Sequence, residues 1–284
     1  MEIIEERKTD LLSGVLFDFD ETEETKLKTE SEFQLVDEND VLAVVLLFKN
    51  SSFKGVLKPY EMEICGKKMA DWVTSATSMF ETKTICADED SSIVPLIKPL
   101  LNEKKNVLVL YSDTPLITTE KIKEIIDYFN FKGLNVLKLN RGWVFNTEYI
   151  KNAESVSSVI TKDFEGDDFF VVSDYASLEK ASSTLKNKIL DFHLNNGVFI
   201  EDKNSTFIDA DVILEPGVKV FAGNVIKGET FVGAGTILES GNKIYSSIIG
   251  RGCDLRCSFV KNSKISDKMV VGPYEIIDEK ESWW

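Results

Sequence analysis

Aliphatic residues recur at every sixth position along a long C-terminal stretch of the chain. A helix would place apolar residues three and four apart, and an ordinary strand would alternate them. A six-residue period with turn residues in between is instead typical of a hexapeptide β-helix, in which three short strands make one coil and the aliphatics stack along the axis. We therefore predict a parallel β-helix of hexapeptide repeats over residues 198–284. The repeat starts with Ile208, Leu214, Val220, Ile226, Val232, Leu238 and Ile244, shortens to five residues at Ile249, Val260 and Ile265, and returns to six at Leu255, Val271 and Ile277.

A second position in each repeat is also restricted, because the residue four places after the aliphatic is small enough to point inward. Glycines are concentrated in the same region, where turns require a positive φ or a close approach of the backbone. We expect the small side chains to fill the inside of the coil at its corners. They are Val212, Val218, Asn224, Thr230, Thr236 and Asn242.

The preceding part of the chain alternates continuous apolar runs with amphipathic segments. Val41–Phe48, Asn106–Asp113 and Asn135–Leu139 predict buried strands, and Met69–Phe80 predicts a helix. A second helix is predicted to start at a Thr118 or Thr119 cap, to bury Ile122, Ile125, Ile126 and Phe129, and to end at Gly133. This order indicates an α/β domain with a parallel sheet over residues 41–175. Ligands of such sheets bind beyond the carboxyl ends of the strands, which places Asp113 at the mouth of any site.

A long helix is predicted between the α/β domain and the β-helix. Its apolar positions run from Leu178 to Phe192, and Gly197 ends it. We assign residues 176–197 to a linker helix. His193, the chain's single histidine, lies near its end and is interpreted as a packing or capping residue rather than a catalytic one.

Charge, hydropathy and cysteine content exclude several classes of protein. The net charge of −15 argues against nucleic acid as a partner, because phosphate binding requires a basic face. The longest apolar run, Val41–Phe48, is too short to cross a bilayer, so no membrane segment is expected. The four cysteines form no CxxC pair, which suits free and mostly buried thiols in a reducing cytoplasm. We therefore expect a cytoplasmic protein.

The first forty residues carry fourteen acidic side chains against four basic ones. This acidic N-terminal extension, residues 1–40, is interpreted as a solvated arm, with an acidic docking arm for a basic partner as the alternative. Within it Gly14–Thr22 (GVLFDFDET) has the DxDxT form of haloacid-dehalogenase-type phosphatases. The sequence that follows has no apolar helix face to bury, so a strand leading into an acidic linker is preferred.

Several short stretches occur in an order known from one bacterial enzyme family. They are Gly66–Val73 (GKKMADWV), Leu110–Ile122 (LYSDTPLITTEKI), Leu139–Glu148 (LNRGWVFNTE), Val171–Ala181 (VVSDYASLEKA) and His193–Asp202 (HLNNGVFIED), followed by the hexapeptide run. Together they resemble the bifunctional N-acetylglucosamine-1-phosphate uridylyltransferase/glucosamine-1-phosphate acetyltransferase family over residues 41–278. The chain looks like a shortened and divergent member.

The resemblance implies a Rossmann-like nucleotidyltransferase domain joined to a left-handed β-helix that forms a homotrimer. In such a domain a sugar 1-phosphate attacks the α-phosphorus of a uridine nucleotide with the help of Mg²⁺. Asp113 matches the family's metal-binding aspartate, and Asn140 matches its sugar-contacting asparagine. Lys58 lies one place from the family's catalytic lysine, because this chain has L-K-P where the family has L-P-K.

Several family motifs are altered in this chain. The glycine-rich phosphate loop is replaced by Phe48–Gly55 (FKNSSFKG), which keeps Lys49 and Lys54 as candidate substrate contacts but loses the arginine and most glycines. The family's second metal ligand is replaced by Ser173, so Asp174 is the candidate substitute. The uracil-reading segment has no counterpart. Acetyl transfer is not expected, because no histidine follows His193.

Three functions remain open from the sequence. The first is a divergent nucleotidyltransferase that binds a nucleotide or sugar nucleotide with weak or lost catalysis. The alternative is a pseudoenzyme that serves as a trimeric assembly or regulatory subunit, with the acidic arm or Trp283 and Trp284 as docking elements, although these tryptophans equally suit a cap on the β-helix. The third is a working uridylyltransferase that uses Lys49, Lys54 and Lys58 in place of the lost loop.

Overall fold

The computed structural model describes residues 40–48, 53, 58–87, 92–156 and 159–279 of the 284. The acidic arm up to residue 39, the DxDxT stretch, Lys49, Lys54, Trp283 and Trp284 lie outside the described residues. The chain divides into two compact units. One contains the described residues up to Glu63 together with Lys68–Ala181, and the other contains Ile64–Lys67 and the chain from Ser182 onward. The division falls inside the long helix, whereas the sequence predicted a separate linker over residues 176–197.

The first unit is an α/β layer. Among the described residues, the first eight strands are β1 (Val41–Phe48), β2 (Glu63–Ile64), β3 (Lys67–Lys68), β4 (Glu81–Ala87), β5 (Asn106–Tyr111), β6 (Val136–Leu139), β7 (Gly142–Asn146) and β8 (Ile160–Thr161). The α-helices in the described ranges are α1 (Met69–Ala76), α2 (Ile93–Ile97), α3 (Thr119–Phe131), α4 (Thr147–Asn152) and α5 (Tyr175–Asn195), with short 3-10 turns at Pro59–Glu61 and Lys98–Leu100.

The strand order of the main sheet is β4-β1-β5-β7-β6-β8. β1 pairs in parallel with both β4 and β5. Its odd residues Val41, Ala43 and Val45 pack into one buried cluster and its even residues Leu42, Val44 and Leu46 into another, so both faces of the strand are covered. The prediction of a buried strand is therefore confirmed.

The sequence had suggested a purely parallel sheet, but the sheet is mixed. β7 runs antiparallel between β5 and β6 and pairs with both. The chain reverses within the two residues that separate Leu139 from Gly142, so β6 and β7 form a hairpin. Gly142 has a φ of +148°, and a Cβ there would lie 2.6 Å from the backbone oxygen of Val109. A side chain is therefore excluded at this turn.

Helix ends follow their capping residues. α3 begins where the side chain of Thr118 accepts a hydrogen bond from Lys121 N at 3.3 Å, which confirms one of the two predicted caps. α1 ends at Ala76, four residues before the predicted end at Phe80. The hydroxyl of Thr77 bonds to Thr74 O at 2.9 Å and helps to turn the chain towards β4.

The second unit is a parallel β-helix, as the six-residue period predicts, and it is left-handed, as the resemblance implies. Its strands are β9 (Phe199–Ile200), β10 (Phe207–Ile208), β11 (Ile213–Leu214), β12 (Lys219–Val220), β13 (Val225–Lys227), β14 (Phe231–Val232), β15 (Ile237–Leu238), β16 (Lys243–Tyr245), β17 (Ile248–Ile249), β18 (Asp254–Leu255), β19 (Phe259–Lys261), β20 (Lys264–Ile265), β21 (Val270–Val271) and β22 (Ile276–Asp278). They form three parallel sheets, with the orders β10-β13-β16-β19-β22, β11-β14-β17-β20 and β21-β18-β15-β12-β9.

The predicted aliphatics stack in register along the axis. Ile208 lies beside Ile226, and Ile244 lies beside Val260, although the two pairs differ in sequence separation. Each five-residue repeat lacks one residue of a turn between strands. The coils tolerate this loss because the register of the strands is unchanged. Ile226, Ile244 and Val260 are fully buried.

The small inward residues form hydrogen-bonded ladders at the corners of the coils. Asn224 Oδ1 accepts from Asn242 N at 3.2 Å, and Asn242 Oδ1 accepts from Ser258 N at 2.9 Å. A second corner repeats the arrangement, because Thr230 Oγ1 accepts from Ser247 N at 3.3 Å. The Asn and Thr side chains at these positions thus supply an inward acceptor in addition to being small.

The cysteines differ from the expectation of mostly buried thiols. All four are free, but only Cys253 is buried, whereas Cys65 is half-buried and Cys86 and Cys257 are exposed. The expectation was wrong because Cys86 and Cys257 do not occupy core positions of the strand and coil that carry them. No helix in the described part of the chain has both the length and the apolar character required to cross a membrane.

His193 lies near the end of α5, where its backbone oxygen accepts from the N of Val198, a residue of the β-helix core, at 3.0 Å. Its side chain is buried, its Nδ1 has no hydrogen-bond partner, and burial lowers its pKa from 6.5 to about 4. The structure places it where a packing residue lies.

We expect the stability of the β-helix to fall in acid because of His193. The pKa is lower in the folded chain, so the unfolded chain binds the extra proton as the pH falls below 6.5. The contribution is complete above pH 6.5 and is lost towards pH 4, by about 3 kcal/mol in total. Urea unfolding across this range should show a shallower pH dependence for His193→Leu than for the parent chain. Equal slopes would contradict this assignment.

Candidate functional site

The candidate site lies at the carboxyl end of β5. The strand ends at Tyr111, and the next residue stays beside β1 because Ser112 N donates to Leu46 O at 2.9 Å. Thr114 then closes a turn, its hydroxyl bonding to Tyr111 O at 2.9 Å. Asp113 occupies the centre of this turn and is only 2% exposed. A carboxylate at the end of a parallel strand is therefore held in a buried position.

Arg141 neutralises this carboxylate. It lies in the turn between β6 and β7, and its Nε and Nη2 donate to the two oxygens of Asp113 at 3.2 and 2.5 Å. The guanidinium also covers the ring of Tyr111, with its carbon 4.3 Å from the ring centre. Such a two-point contact fixes the plane of the guanidinium. The Asp113 side chain is 3% exposed and that of Arg141 is 30% exposed, so the cation faces the solvent side of the pair.

The segment before α5 passes next to this pair. Val172 N donates to Asp113 O at 2.8 Å, which brings the motif that contains Asp174 beside the end of β5. Asp174 itself caps α5, and its Oδ1 accepts from the backbone N and the hydroxyl of Ser177, each at 2.7 Å. These hydrogen bonds hold the pKa of Asp174 below its ordinary value.

We call residues 162–174 the strap, because the segment is tied to the sheet at several points along its length. Asn140, at the end of β6, holds Phe164 through two hydrogen bonds, from Phe164 N to Oδ1 at 2.8 Å and from Nδ2 to Phe164 O at 3.3 Å. The hydroxyl of Thr118 donates to Asp168 at 2.7 Å. Together with the contact between Val172 and Asp113, these bonds lay the strap across the carboxyl edge of the sheet.

The structure brings some of the predicted site residues together and leaves others apart. The turn after β5 and the strap bring Asp113 close to the chain around Asp174. The amide of Asn140 is occupied by the strap backbone. Lys58 is exposed and forms an ion pair with Glu61 at 3.0 Å, which raises the pKa of the lysine. Lys49 and Lys54 lie outside the described residues. The roles assigned to these residues remain predictions.

Arg141 is the site residue that sequence reasoning missed. It was contained in the quoted stretch Leu139–Glu148, but the pattern gave no reason to pair it with Asp113, which lies 28 residues earlier. The signal that was present is the short apolar run after Gly142, which predicts a returning strand. A hairpin there carries its turn residues back towards the end of β5.

The arrangement fits a magnesium ion poorly. Mg²⁺ requires oxygen ligands with accessible lone pairs at short distance. Both oxygens of Asp113 accept from Arg141, and Oδ1 of Asp174 accepts from Ser177. Within the described ranges, no group of three or more His, Cys, Asp or Glu side chains suits a metal.

Comparisons with known proteins give relatives of one kind. No protein-family model matches the chain. The bifunctional protein GlmU of Clostridium perfringens is 43% identical over 127 residues, which cover 45% of this chain and 27% of that protein. GlmU of Thermoanaerobacter pseudethanolicus is 24% identical over 301 residues, covering 75% and 66% of the two chains, and GlmU of Clostridioides difficile is 22% identical over 290 residues, covering 79% and 62%.

Solved structures show a weaker similarity. CMP:2-keto-3-deoxy-manno-octonic acid synthetase complexed with CTP has a TM-score of 0.40 and 12% identity, covering 53% of this chain and all of its own. Molybdopterin-guanine dinucleotide biosynthesis protein A from Archaeoglobus fulgidus also has a TM-score of 0.40, with 16% identity and coverage of 51% and 99%. Similarity at this level carries no functional conclusion.

The sequence relatives extend beyond the matched region. The chain spans 27% of the Clostridium perfringens protein and 66% of the Thermoanaerobacter pseudethanolicus protein, so it matches between about a quarter and two thirds of its curated relatives. The longer matches include both the α/β unit and the hexapeptide region, since they cover three quarters or more of this chain. The resemblance to GlmU proteins that the motifs carry is thereby confirmed over the matched part of their length.

Proposed function

We propose that the α/β unit binds a nucleotide or sugar nucleotide at the carboxyl edge of its sheet, with weak or lost nucleotidyl transfer. The observation that carries this proposal is the buried ion pair of Asp113 and Arg141 at the end of β5. Ligands of parallel α/β sheets bind at this edge. A guanidinium that lies over an aromatic ring and is 30% exposed is suited to a phosphate group.

The same geometry is the reason to expect that nucleotidyl transfer is weak or lost. Phosphoryl transfer depends on cations that neutralise the charge developing on the phosphate oxygens. Here the carboxylate that would hold such a cation is already engaged by Arg141, and Asp174 serves as a helix cap. Acetyl transfer is not proposed, because the single histidine is buried under the β-helix and burial lowers its pKa to about 4.

Ligand-dependent thermal stability tests this function. A ligand present at a hundred times its dissociation constant stabilises the native chain by about 2.7 kcal/mol, which corresponds to a rise of roughly 5 °C or more in Tm for a chain of this size. We expect UTP or UDP-N-acetylglucosamine to produce such a shift in the parent chain and a smaller one in Arg141→Ala at the same ligand concentration. Arg256→Ala is the matched control, because it removes an arginine paired with Asp254 in the other unit. No shift with either ligand would refute the proposal.

A transfer assay tests the weak or lost catalysis. The chain is incubated with UTP, N-acetylglucosamine 1-phosphate and MgCl₂, and pyrophosphate release is followed. We expect release below that of a GlmU enzyme by a factor of about a thousand, the effect of losing one cation-assisted step. Release comparable with that enzyme would show a working uridylyltransferase.

A second candidate function is trimeric assembly through the β-helix. One outward row of the sheet from β10 to β22 is apolar except for Lys243 at its centre, and Phe207 and Ile276 at its two ends are 47% and 79% exposed. Such a row suits burial between copies. Sedimentation should show a trimer for the parent chain and a smaller species for Ile276→Glu. Phe131→Glu, which alters an exposed residue of α3, should remain trimeric. A monomeric parent chain would exclude this function.

A further inference from the structure

The buried carboxylate of Asp113 requires a cation, and the chain itself supplies one. A charge removed from water is costly unless it is paired and hydrogen-bonded. Arg141 provides both the charge and two donors, one to each oxygen of Asp113. An arginine keeps its proton under all ordinary conditions, so this partner cannot leave by deprotonation.

A divalent ion would have to displace this partner. Each oxygen of Asp113 already accepts from Arg141, so an ion coordinated to Asp113 would lie against the guanidinium, a second cation. The stack on Tyr111 fixes the guanidinium where it is. For Asp174 to act as a second metal ligand, its carboxylate would have to give up its role as the cap of α5, where Oδ1 accepts two hydrogen bonds from Ser177.

We infer that Arg141 stands in the place of a divalent cation beside Asp113, so that the phosphate groups of a nucleotide are bound here without a divalent metal. This inference rests on the function proposed above. The cation is part of the chain, and its solvent side, at 30% exposure, is the side from which a ligand reaches it.

The presence of Arg141 in the place of a divalent ion changes how the site binds phosphate. A guanidinium carries one positive charge and recognises phosphate oxygens by directed hydrogen bonds, whereas a divalent ion binds them as a concentrated charge. Directed bonds position a phosphate well. A single delocalised charge stabilises a departing pyrophosphate less. Metal-free binding and weak transfer therefore have the same origin.

The test uses the full chain in two independent measurements. The first is isothermal titration with UTP in EDTA and in MgCl₂. We expect the dissociation constant of the parent chain to differ by less than about twofold between the buffers, because the bound cation is Arg141 in both. In Arg141→Ala, affinity in EDTA should fall by about tenfold or more and recover in part with MgCl₂.

The second measurement is binding of Mn²⁺ alone, followed by its electron paramagnetic resonance signal. The parent chain and Arg256→Ala should not bind Mn²⁺ at Asp113, whereas Arg141→Ala should bind one ion that Asp113→Asn in the same background abolishes. Arg141→Lys, which keeps a charge, serves if the alanine variant does not fold, and it should bind UTP in EDTA more tightly than Arg141→Gln.

The UTP titration and the Mn²⁺ measurement distinguish a failure of the metal-free inference from a failure of the proposed nucleotide binding. A parent chain whose affinity for UTP increases tenfold or more with MgCl₂, or that binds Mn²⁺ in a manner lost in Asp113→Asn, overturns the inference. A chain that binds UTP in neither buffer refutes the proposed function, and the Mn²⁺ measurement still decides whether Arg141 excludes the ion.

Discussion

Replacing Asn242 with alanine is expected to lower the free energy of unfolding of the β-helix by about 3 kcal/mol. The side chain is fully buried and donates to Glu239 O at 2.6 Å and Leu255 O at 3.1 Å. It also accepts from Ser258 N, so its loss leaves a buried N–H without an acceptor. Urea unfolding followed by circular dichroism measures the change.

Asn204→Ala is the matched control for this substitution. Asn204 belongs to the same unit but is exposed, and its backbone rather than its side chain carries the contacts with Asp202 and Lys186. Its replacement should change stability by less than about 0.5 kcal/mol. Equal effects of the two variants would mean that the corner ladder contributes nothing beyond the stacked aliphatics.

Replacing Gly142 with alanine is expected to destabilise the α/β unit by about 3 kcal/mol and to weaken nucleotide binding. The new Cβ would lie 2.6 Å from Val109 O and 3.3 Å from a methyl group of Leu139. The first neighbour is the backbone of a central strand, which has little room to move. Because Arg141 is the adjacent residue, any shift of the turn also moves the guanidinium away from Asp113. Thermal unfolding and titration with UTP measure the two effects.

Gly133→Ala separates conformational strain from steric overlap. Gly133 also has a positive φ, +58°, but a Cβ there would meet nothing within 4 Å. Its replacement should cost about 1 kcal/mol and leave binding unchanged. A loss of stability as large as that of Gly142→Ala would show that the backbone angle, and not the close approach to β5, controls this turn.

The β-helix was predictable because each coil repeats the same local rule. An aliphatic such as Ile226 and a small residue such as Asn224 recur at fixed positions, so the register and the core follow from counting. The hydrogen-bonding purpose of the small residues was not visible. It depends on the stacking of residues 16 to 18 positions apart, as in the bonds from Asn242 to Asn224 and from Ser258 to Asn242.

The site was predictable only in part. Asp113 was located because strand ends can be read from apolar runs, and the end of β5 is such a position. The partner of Asp113 was missed because it depends on the β6–β7 hairpin folding back antiparallel beside β5. Asn140 was assigned to a ligand by resemblance, whereas its amide holds Phe164 of the strap. Side-chain pairing across distant segments is not encoded in local pattern.

A crystal structure of the full chain soaked with UTP in EDTA would show whether Arg141 binds the phosphates without a metal. We expect triphosphate density within hydrogen-bonding distance of the Arg141 guanidinium, with the ion pair to Asp113 intact and no metal density between the carboxylate and the phosphates. A nucleotide bound through a metal on Asp113, or seated away from the carboxyl edge of the sheet, would contradict this expectation.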